Sequence, residues 1–77
     1  MISVRIKIFG GLRRYTDEKS VLEIEIESNK AISEIIQRIN VPDASVYAVE
    51  KNGKVVNKQT IVEKDCTLTL IPFITGG

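Results

Sequence analysis

Residues 2 to 9 read Ile-Ser-Val-Arg-Ile-Lys-Ile-Phe, and apolar and polar side chains alternate along them up to Ile8. This period of two is typical of a β-strand with one face buried and the other in water. Phe9 breaks the alternation, because it puts an aromatic ring on the polar face. Gly10-Gly11 then stops the strand, and Leu12 to Asp17 form either a turn of helix or an irregular loop.

A second strand and a helix follow the glycine pair. Residues 22–27 again alternate strictly, and the short connection predicts that this strand returns antiparallel to the first. Isoleucines at helical spacing then form one apolar stripe, made of Ile32, Ile35, Ile36 and Ile39. Ser28 or Asn29 is expected to cap the start of this helix through its side-chain oxygen. Asn40 and Pro42 are expected to end it.

The remaining segments predict a hairpin and a final strand. Residues 46–49 are a short apolar stretch, and Asn52-Gly53 is a strong turn signal before the apolar residues of 54–56. Residues 60–65 form a largely polar connection. The last strand is Thr67 to Ile71, which alternates like the first one.

The order of these elements predicts an α+β fold. One main helix must cover one face of a mixed sheet of four to five strands, which leaves the other face in water. This arrangement is a β-grasp, in which the first and last strands lie side by side and parallel. Phe9 and Ile71 should therefore emerge near the same end of the sheet. We expect a single β-grasp domain over residues 1–77, with residues 72–77 as a flexible C-terminal tail.

The composition excludes several classes of function. Lys and Arg total 11 and Asp and Glu total 10, which gives a net charge of +1, and there is no Trp. A nucleic-acid partner is not expected, because such binders carry a basic excess and aromatic stacking surfaces. The chain has no histidine and one cysteine, which excludes Ser–His and Cys–His catalytic pairs and a Cys/His zinc site. We expect no metal site and no enzymatic activity.

The other candidate reactive groups have structural explanations. The glutamates at 23, 25 and 27 lie on the outer face of the second strand, where cross-strand ion pairs with Arg5 and Lys7 account for them. Cys66 is interpreted as a small buried hydrophobe, and a lone thiol suits a reducing compartment. No apolar run approaches the ~20 residues of a membrane span. We therefore expect a cytoplasmic protein with no membrane partner.

The C-terminal segment is the most informative part of the sequence. No charged side chain occurs from Cys66 to Gly77, and the segment ends in Gly76-Gly77. Frayed ends tolerate glycine, but Phe73 and Ile74 are unusually apolar for a frayed end. A tail without side chains can enter a narrow site on a partner, and no Cβ then screens the Gly77 carbonyl carbon from attack. Phe73 and Ile74 would hold the partner surface.

These segments resemble the family of the molybdopterin synthase small subunit (MoaD) and its relative, the thiamine sulfur carrier ThiS. Residues 4–13 look like the first strand of that family with its following Leu-Arg, here Leu12-Arg13. Residues 71–77 are similar to its terminal Pro-Pro-Val-Thr/Ser-Gly-Gly, with Phe73 in place of the second proline. Two further departures are Arg14, where the family is often acidic, and Asp65-Cys66, where it has Gly-Asp.

The resemblance implies a ubiquitin-like sulfur carrier that binds no cofactor itself. An E1-like adenylating enzyme of the MoaB, MoeB or ThiF type would use ATP and magnesium to activate the Gly77 carboxylate, which persulfide sulfur converts to a thiocarboxylate. The acceptor would be a partner such as the molybdopterin synthase large subunit. The implied tail residues are Thr75, Gly76 and Gly77, and the implied partner contacts are Phe9, Arg13, Ile71, Phe73 and Ile74.

Three alternatives stay open. The same tail could be joined to lysines of target proteins, as in a ubiquitin-like protein modifier. The carrier could also serve thiamine biosynthesis, although Leu12-Arg13 and Pro72 favour the molybdopterin branch. A β-grasp adaptor with incidental glycines is the third. Pro72 fixes its own φ and biases Ile71 toward an extended conformation, so a tail of short, stiff reach favours the carrier over the modifier.

Deleting Gly77, or adding residues after it, is expected to abolish adenylation because the reacting carboxylate is lost or displaced. The measurement is ATP–pyrophosphate exchange catalysed by the adenylating enzyme of the same organism, with circular dichroism to check that the fold is intact. Exchange at the normal rate by either variant would rule out the carrier interpretation.

Overall fold

The computed structural model describes residues 1–73 of the chain, so the segment 74–77 lies outside the described residues. The strands are β1 (Ile2–Ile8), β2 (Val21–Ile26), β3 (Lys30–Ala31), β4 (Val46–Lys51), β5 (Lys54–Val56), β6 (Ile61–Val62) and β7 (Cys66–Pro72). The α-helix α1 is Ile32–Arg38, and the two 3₁₀ helices are Gly10–Thr16 and Asp43–Ser45. None of these helices is long and apolar enough to cross a membrane.

Within residues 1–73, five strands form one mixed sheet in the order β2-β1-β7-β4-β5. β1 and β7 are parallel, and Ile8 is paired with Leu70 at the end of their ladder. The other neighbours in this sheet are antiparallel. The predicted side-by-side, parallel arrangement of the first and last strands is confirmed. β7 runs one residue further than predicted, so Pro72 belongs to the strand.

The core lies between this sheet and α1. The inward side chains of β1 (Val4, Ile6 and Ile8) are almost completely buried, as are Ile32, Ile35 and Ile36 of the helix. Complete burial of such a side chain stabilises the fold by roughly 1.5–3 kcal/mol. The helix has only seven residues, and isoleucine has mediocre helix propensity. Packing on the sheet is therefore what stabilises it.

The prediction that Ser28 or Asn29 caps α1 is wrong. The chain first forms β3, which pairs antiparallel with β6, and α1 then begins directly after Ala31. The first N–H groups of the helix have no partner within the helix. That of Ile32 donates to the carbonyl oxygen of Thr60 at 3.0 Å, and that of Ser33 donates to the carbonyl oxygen of Lys58 at 2.9 Å. A distant loop thus supplies the acceptors that a capping side chain would otherwise supply. The polar connection predicted over residues 60–65 accordingly contains a short strand.

The predicted end of the helix is confirmed. Asn40 has a left-handed φ of 65°, and its N–H donates to the carbonyl oxygen of Gln37 at 3.0 Å. The N–H of Val41 donates to the carbonyl oxygen of Ile36 at 3.2 Å. This pair of bonds is a Schellman motif, in which a residue tolerant of positive φ satisfies the last free carbonyls.

The predicted Asn52-Gly53 turn is also confirmed. Asn52 and Gly53 have φ values of 52° and 87°, as the tight turn between two right-twisted strands requires. Asn52 is bonded to β7 as well, because its N–H donates to the Thr67 carbonyl oxygen at 2.8 Å and its Oδ1 accepts from the Thr67 N–H at 3.0 Å. The hairpin is thus fixed against the centre of the sheet.

The acidic face of β2 is explained in part by the predicted ion pairs. Arg5 donates to Glu23 Oε1 through Nε at 3.1 Å and Nη2 at 2.9 Å. Both side chains are more than half exposed, so the pair is worth at most about 1 kcal/mol. Lys7, in contrast, lies opposite Val21 and not opposite a glutamate. These charges therefore belong to a solvated sheet face.

Candidate functional site

The contact residues predicted from the sequence lie at the end of the sheet where β1 and β7 terminate. The inward side chains of the last pair, Ile8 and Leu70, are buried. Phe9 and Ile71, one residue further along, therefore fall on the open face. Phe9 is 52% exposed, as is Phe73 just after β7, while Ile71 is half-buried. Large apolar side chains are thus concentrated where β7 ends.

Gly10 joins the first connection to the end of β7. Its φ is +58°, in the left-handed region that favours glycine. A Cβ at this position would lie 3.2 Å from Cγ of Pro72. The backbone after β1 therefore approaches the last residue of β7 more closely than a side chain would comfortably allow. This close approach explains why the first residue of the Gly10-Gly11 pair is a glycine.

Arg13 lies in the 3₁₀ helix that begins at Gly10. Leu12 is 3% exposed and anchors this helix in the core, whereas Arg13 and Arg14 are exposed. Arg13 Nε donates to the Gly10 carbonyl oxygen at 3.4 Å, and Arg14 Nε donates to that of Gly11 at 3.1 Å. Two guanidinium groups thus lie beside the edge where β1 and β7 end. The predicted role of Arg13 as a partner contact stays a prediction.

Tyr47 also lies at this end of the sheet, although the sequence did not predict it there. In the β4–β7 ladder Val46 pairs with Pro72 and Ala48 pairs with Ile71, so Tyr47 is an extra residue in a β-bulge. Its side chain is 65% exposed. Its ring centroid is 5.2 Å from that of Phe73, with 68° between the planes, which is edge-to-face geometry. Tyr47 and Phe73 are therefore neighbours on the surface.

A shallow apolar cavity of about 330 Å³ lies at this edge, lined by Tyr47, Ile71, Pro72 and Phe73. A larger cavity of about 560 Å³ has mainly polar walls and lies at the other end of the sheet, since its lining includes Ser3 and Cys66, where β1 and β7 begin. We place the functional site at the smaller cavity. It is the one formed by the last residues before the glycine-ended segment.

Cys66 lies at the far end of β7 from Pro72. Its side chain is partly buried and packs against the core. Burial raises the pKa of the thiol; the Lys51 cation opposes this shift and the Asp65 carboxylate adds to it. The uncharged thiol is therefore favoured, which is the reverse of what a nucleophile needs. The structure agrees with the interpretation of Cys66 as a packing residue.

Four predicted site residues lie outside the described residues: Ile74, Thr75, Gly76 and Gly77. Their roles stay predictions. The described chain brings Phe9, Ile71 and Phe73 to one end of the sheet, with Arg13 beside them through its bond to Gly10. Among the described residues, this end offers an apolar surface together with the positive charge of Arg13 and Arg14.

A mixed sheet with parallel central strands and α1 on one face defines, for residues 1–73, a β-grasp protein of the ubiquitin-like class. A sequence model of the ThiS family matches residues 6–77, through the terminal glycine pair. The chain belongs to the ThiS family and has the fold of the ubiquitin-like sulfur carriers. The resemblance noted from the sequence is confirmed. A comparison with curated proteins found no match.

Three solved structures show the same fold. A putative molybdopterin converting factor subunit 1 from Pyrococcus furiosus is 16% identical, with a TM-score of 0.74 over 96% of this chain and 100% of that one. The H. volcanii small archaeal modifier protein 1 is 11% identical, with a TM-score of 0.76 over 96% and 100%. A complex of subunits 1 and 2 of the Helicobacter pylori molybdopterin-converting factor matches at 17% identity and a TM-score of 0.63, over 99% and 100%. At these identities the likeness establishes the fold alone.

Alkylation of Cys66 by iodoacetamide is expected to rise with pH around a midpoint above that of free cysteine in the same buffer, because burial raises the pKa of the thiol. Asp65→Asn should lower this midpoint by removing a negative charge, and Lys51→Gln should raise it by removing a positive one. A midpoint below that of free cysteine would contradict the structural role and reopen a reactive one.

Proposed function

We propose that the chain is a sulfur carrier whose Gly77 carboxylate is adenylated and then converted to a thiocarboxylate. The observation that supports this most is the apolar end of the sheet, where Phe9, Tyr47 and Phe73 are all at least half exposed. Phe73 directly precedes the glycine-ended segment. Exposed apolar side chains gathered at one place are typical of a protein–protein contact. The chain would act as a non-catalytic cytoplasmic subunit.

The chemistry divides naturally between the carrier and its partners. A carboxylate is a poor electrophile, so an E1-like adenylating enzyme with ATP and magnesium would convert it to an acyl-adenylate and release pyrophosphate. The terminal sulfur of a persulfide would then replace AMP, a good leaving group, at the Gly77 carbonyl carbon to give an acyl disulfide. A thiol of the partner would attack the other sulfur of that S–S bond, which releases the thiocarboxylate and leaves a disulfide on the partner. The residues of this chain bind and orient: the apolar end docks, and Arg13 offers a positive charge to an acidic group of the partner.

For the sulfur acceptor we favour a partner like the large subunit of molybdopterin synthase. The H. pylori structure contains subunits 1 and 2 of a molybdopterin-converting factor together, so this fold occurs in such a two-subunit complex. Leu12-Arg13 and Pro72 of this chain agree with the molybdopterin branch. A carrier for thiamine biosynthesis is the alternative within the same chemistry.

A ubiquitin-like protein modifier is the second candidate, because the small archaeal modifier protein 1 shares the fold. The reach of the tail argues against it. Phe73 lies against Tyr47, and Gly77 is four residues further along the chain. Four residues span at most about 14 Å when fully extended. That length suits one dedicated pocket better than many different lysines.

Intact mass spectrometry of the protein purified from its own cells tests the proposed function. We expect a species in which one sulfur atom replaces one oxygen atom, alongside the free carboxylate. The same preparation should contain a complex with a synthase-like large subunit. Recovery chiefly as isopeptide conjugates on diverse lysines would instead establish the modifier.

Replacing Phe73 or Phe9 by Asp is expected to weaken binding to the adenylating enzyme by about 2 kcal/mol or more, as for an interface hot spot. The free energy of unfolding should change by less than about 0.5 kcal/mol, because both side chains are already half exposed. Titration calorimetry and urea unfolding measure the two quantities.

Val55→Asp is the matched control for these variants, since Val55 is 68% exposed and lies in β5, away from the end of β7. It should leave binding unchanged, and its loss of stability measures what a new carboxylate opposite Glu50 costs the sheet. Equal losses of binding and folding stability in the Phe9 and Phe73 variants would show that these residues belong to the core and would remove them from the docking surface.

A further inference from the structure

We propose that Tyr47 is a positioning residue for the reactive tail, because its ring holds Phe73 and so fixes the direction in which the chain leaves β7. This inference rests on the proposed function, in which the tail carries the reacting carboxylate. It concerns a residue in β4, 26 positions before Phe73 in the sequence.

The β-bulge in β4 brings Tyr47 to this place. Val46 and Val49 are both buried, although they are three positions apart and strict alternation would put them on opposite faces. The extra residue between the pairs Val46–Pro72 and Ala48–Ile71 makes both burials possible. A bulge also re-aims the inserted side chain, and here Tyr47 is directed beside Phe73.

Pro72, the residue before Phe73, is constrained on both sides. On the β1 side, Gly10 allows the backbone to approach Pro72, whose Cγ would lie 3.2 Å from a Cβ on Gly10. On the β4 side, Pro72 pairs with Val46. The proline ring fixes φ of residue 72. The direction of the next residue is then set by where its side chain rests, and that side chain rests on Tyr47.

The contact between the two rings is not explained by the core. Tyr47 is 65% exposed and Phe73 is 52% exposed, so neither ring is needed to fill the space between sheet and helix. The edge-to-face arrangement, with centroids 5.2 Å apart, is a favourable one for aromatic pairs. Its effect falls on Phe73, the last residue before the tail.

Positioning at this point matters because adenylation requires the carboxylate to meet ATP in a narrow range of geometries. A displacement of about 1 Å can cost as much as about 100-fold in rate. Phe73 is the last described residue before the reacting end of the chain, so a change in its position moves the point from which residues 74–77 start. Loss of the Tyr47 ring should therefore lower kcat, whereas loss of a simple binding contact would raise KM and leave kcat unchanged.

The test compares Tyr47→Ala, Tyr47→Phe and the exposed control Val55→Ala. In the free protein, ¹⁵N relaxation should show increased backbone motion at Phe73 in Tyr47→Ala and wild-type values in Tyr47→Phe. In ATP–pyrophosphate exchange, with a catalytic amount of the adenylating enzyme of the same organism and varied carrier concentration, Tyr47→Ala should lose about tenfold in kcat. Tyr47→Phe should retain the wild-type kcat, and Val55→Ala should match wild type in both measurements.

Unchanged ¹⁵N relaxation of Phe73 in Tyr47→Ala, or a raised KM with unchanged kcat, would overturn the inference and leave the carrier function standing. Failure of the wild-type chain to support exchange would instead overturn the proposed function. The ¹⁵N relaxation of Phe73 would then still decide whether Tyr47 holds that residue, since it is measured without the enzyme.

Discussion

The parallel pairing of β1 with β7 is the constraint on which the rest of the structure depends. It joins the first strand to the last one, from Val4 with Cys66 to Ile8 with Leu70, and both strands are central in the sheet. Each ladder position buries an apolar side chain beneath α1 or exposes a polar one above. The same pairing brings Gly10 against Pro72. The register of this one pair of strands therefore aligns the buried side chains of the core and also brings together the residues of the candidate site.

Most of the fold could be predicted because its signals are local. The alternation in β1 and β2, the isoleucine stripe of α1 and the Asn52-Gly53 turn all lie within a few residues of the structure they specify. β3 and β6 could not be predicted in this way, since two residues are too few to show a period. The start of α1 was missed for a related reason. Its acceptors are the carbonyl oxygens of Lys58 and Thr60, and a backbone carbonyl leaves no trace in the sequence.

The residues of the candidate site were likewise predictable only where their signal was local in the sequence. Phe9 could be placed on the open face because it interrupts the alternation of its own strand. Tyr47 was missed because its position depends on the register between β4 and β7, which only the folded sheet defines. One signal was available, however. Val46 and Val49 are spaced by three in a segment predicted to be a strand, and a strand that buries both must contain an irregularity between them.

The distribution of aromatic residues separates the buried core of this chain from its proposed docking surface. Its buried core in residues 1–73 is made of aliphatic side chains, and no phenylalanine or tyrosine among those residues is buried. Rings that filled the core would be the most effective way to add buried area to so small a domain. Phe9, Tyr47 and Phe73 instead remain in water beside the end of β7. Their exposure limits what they contribute to folding, and their location agrees with the docking surface that we propose at this end of the sheet.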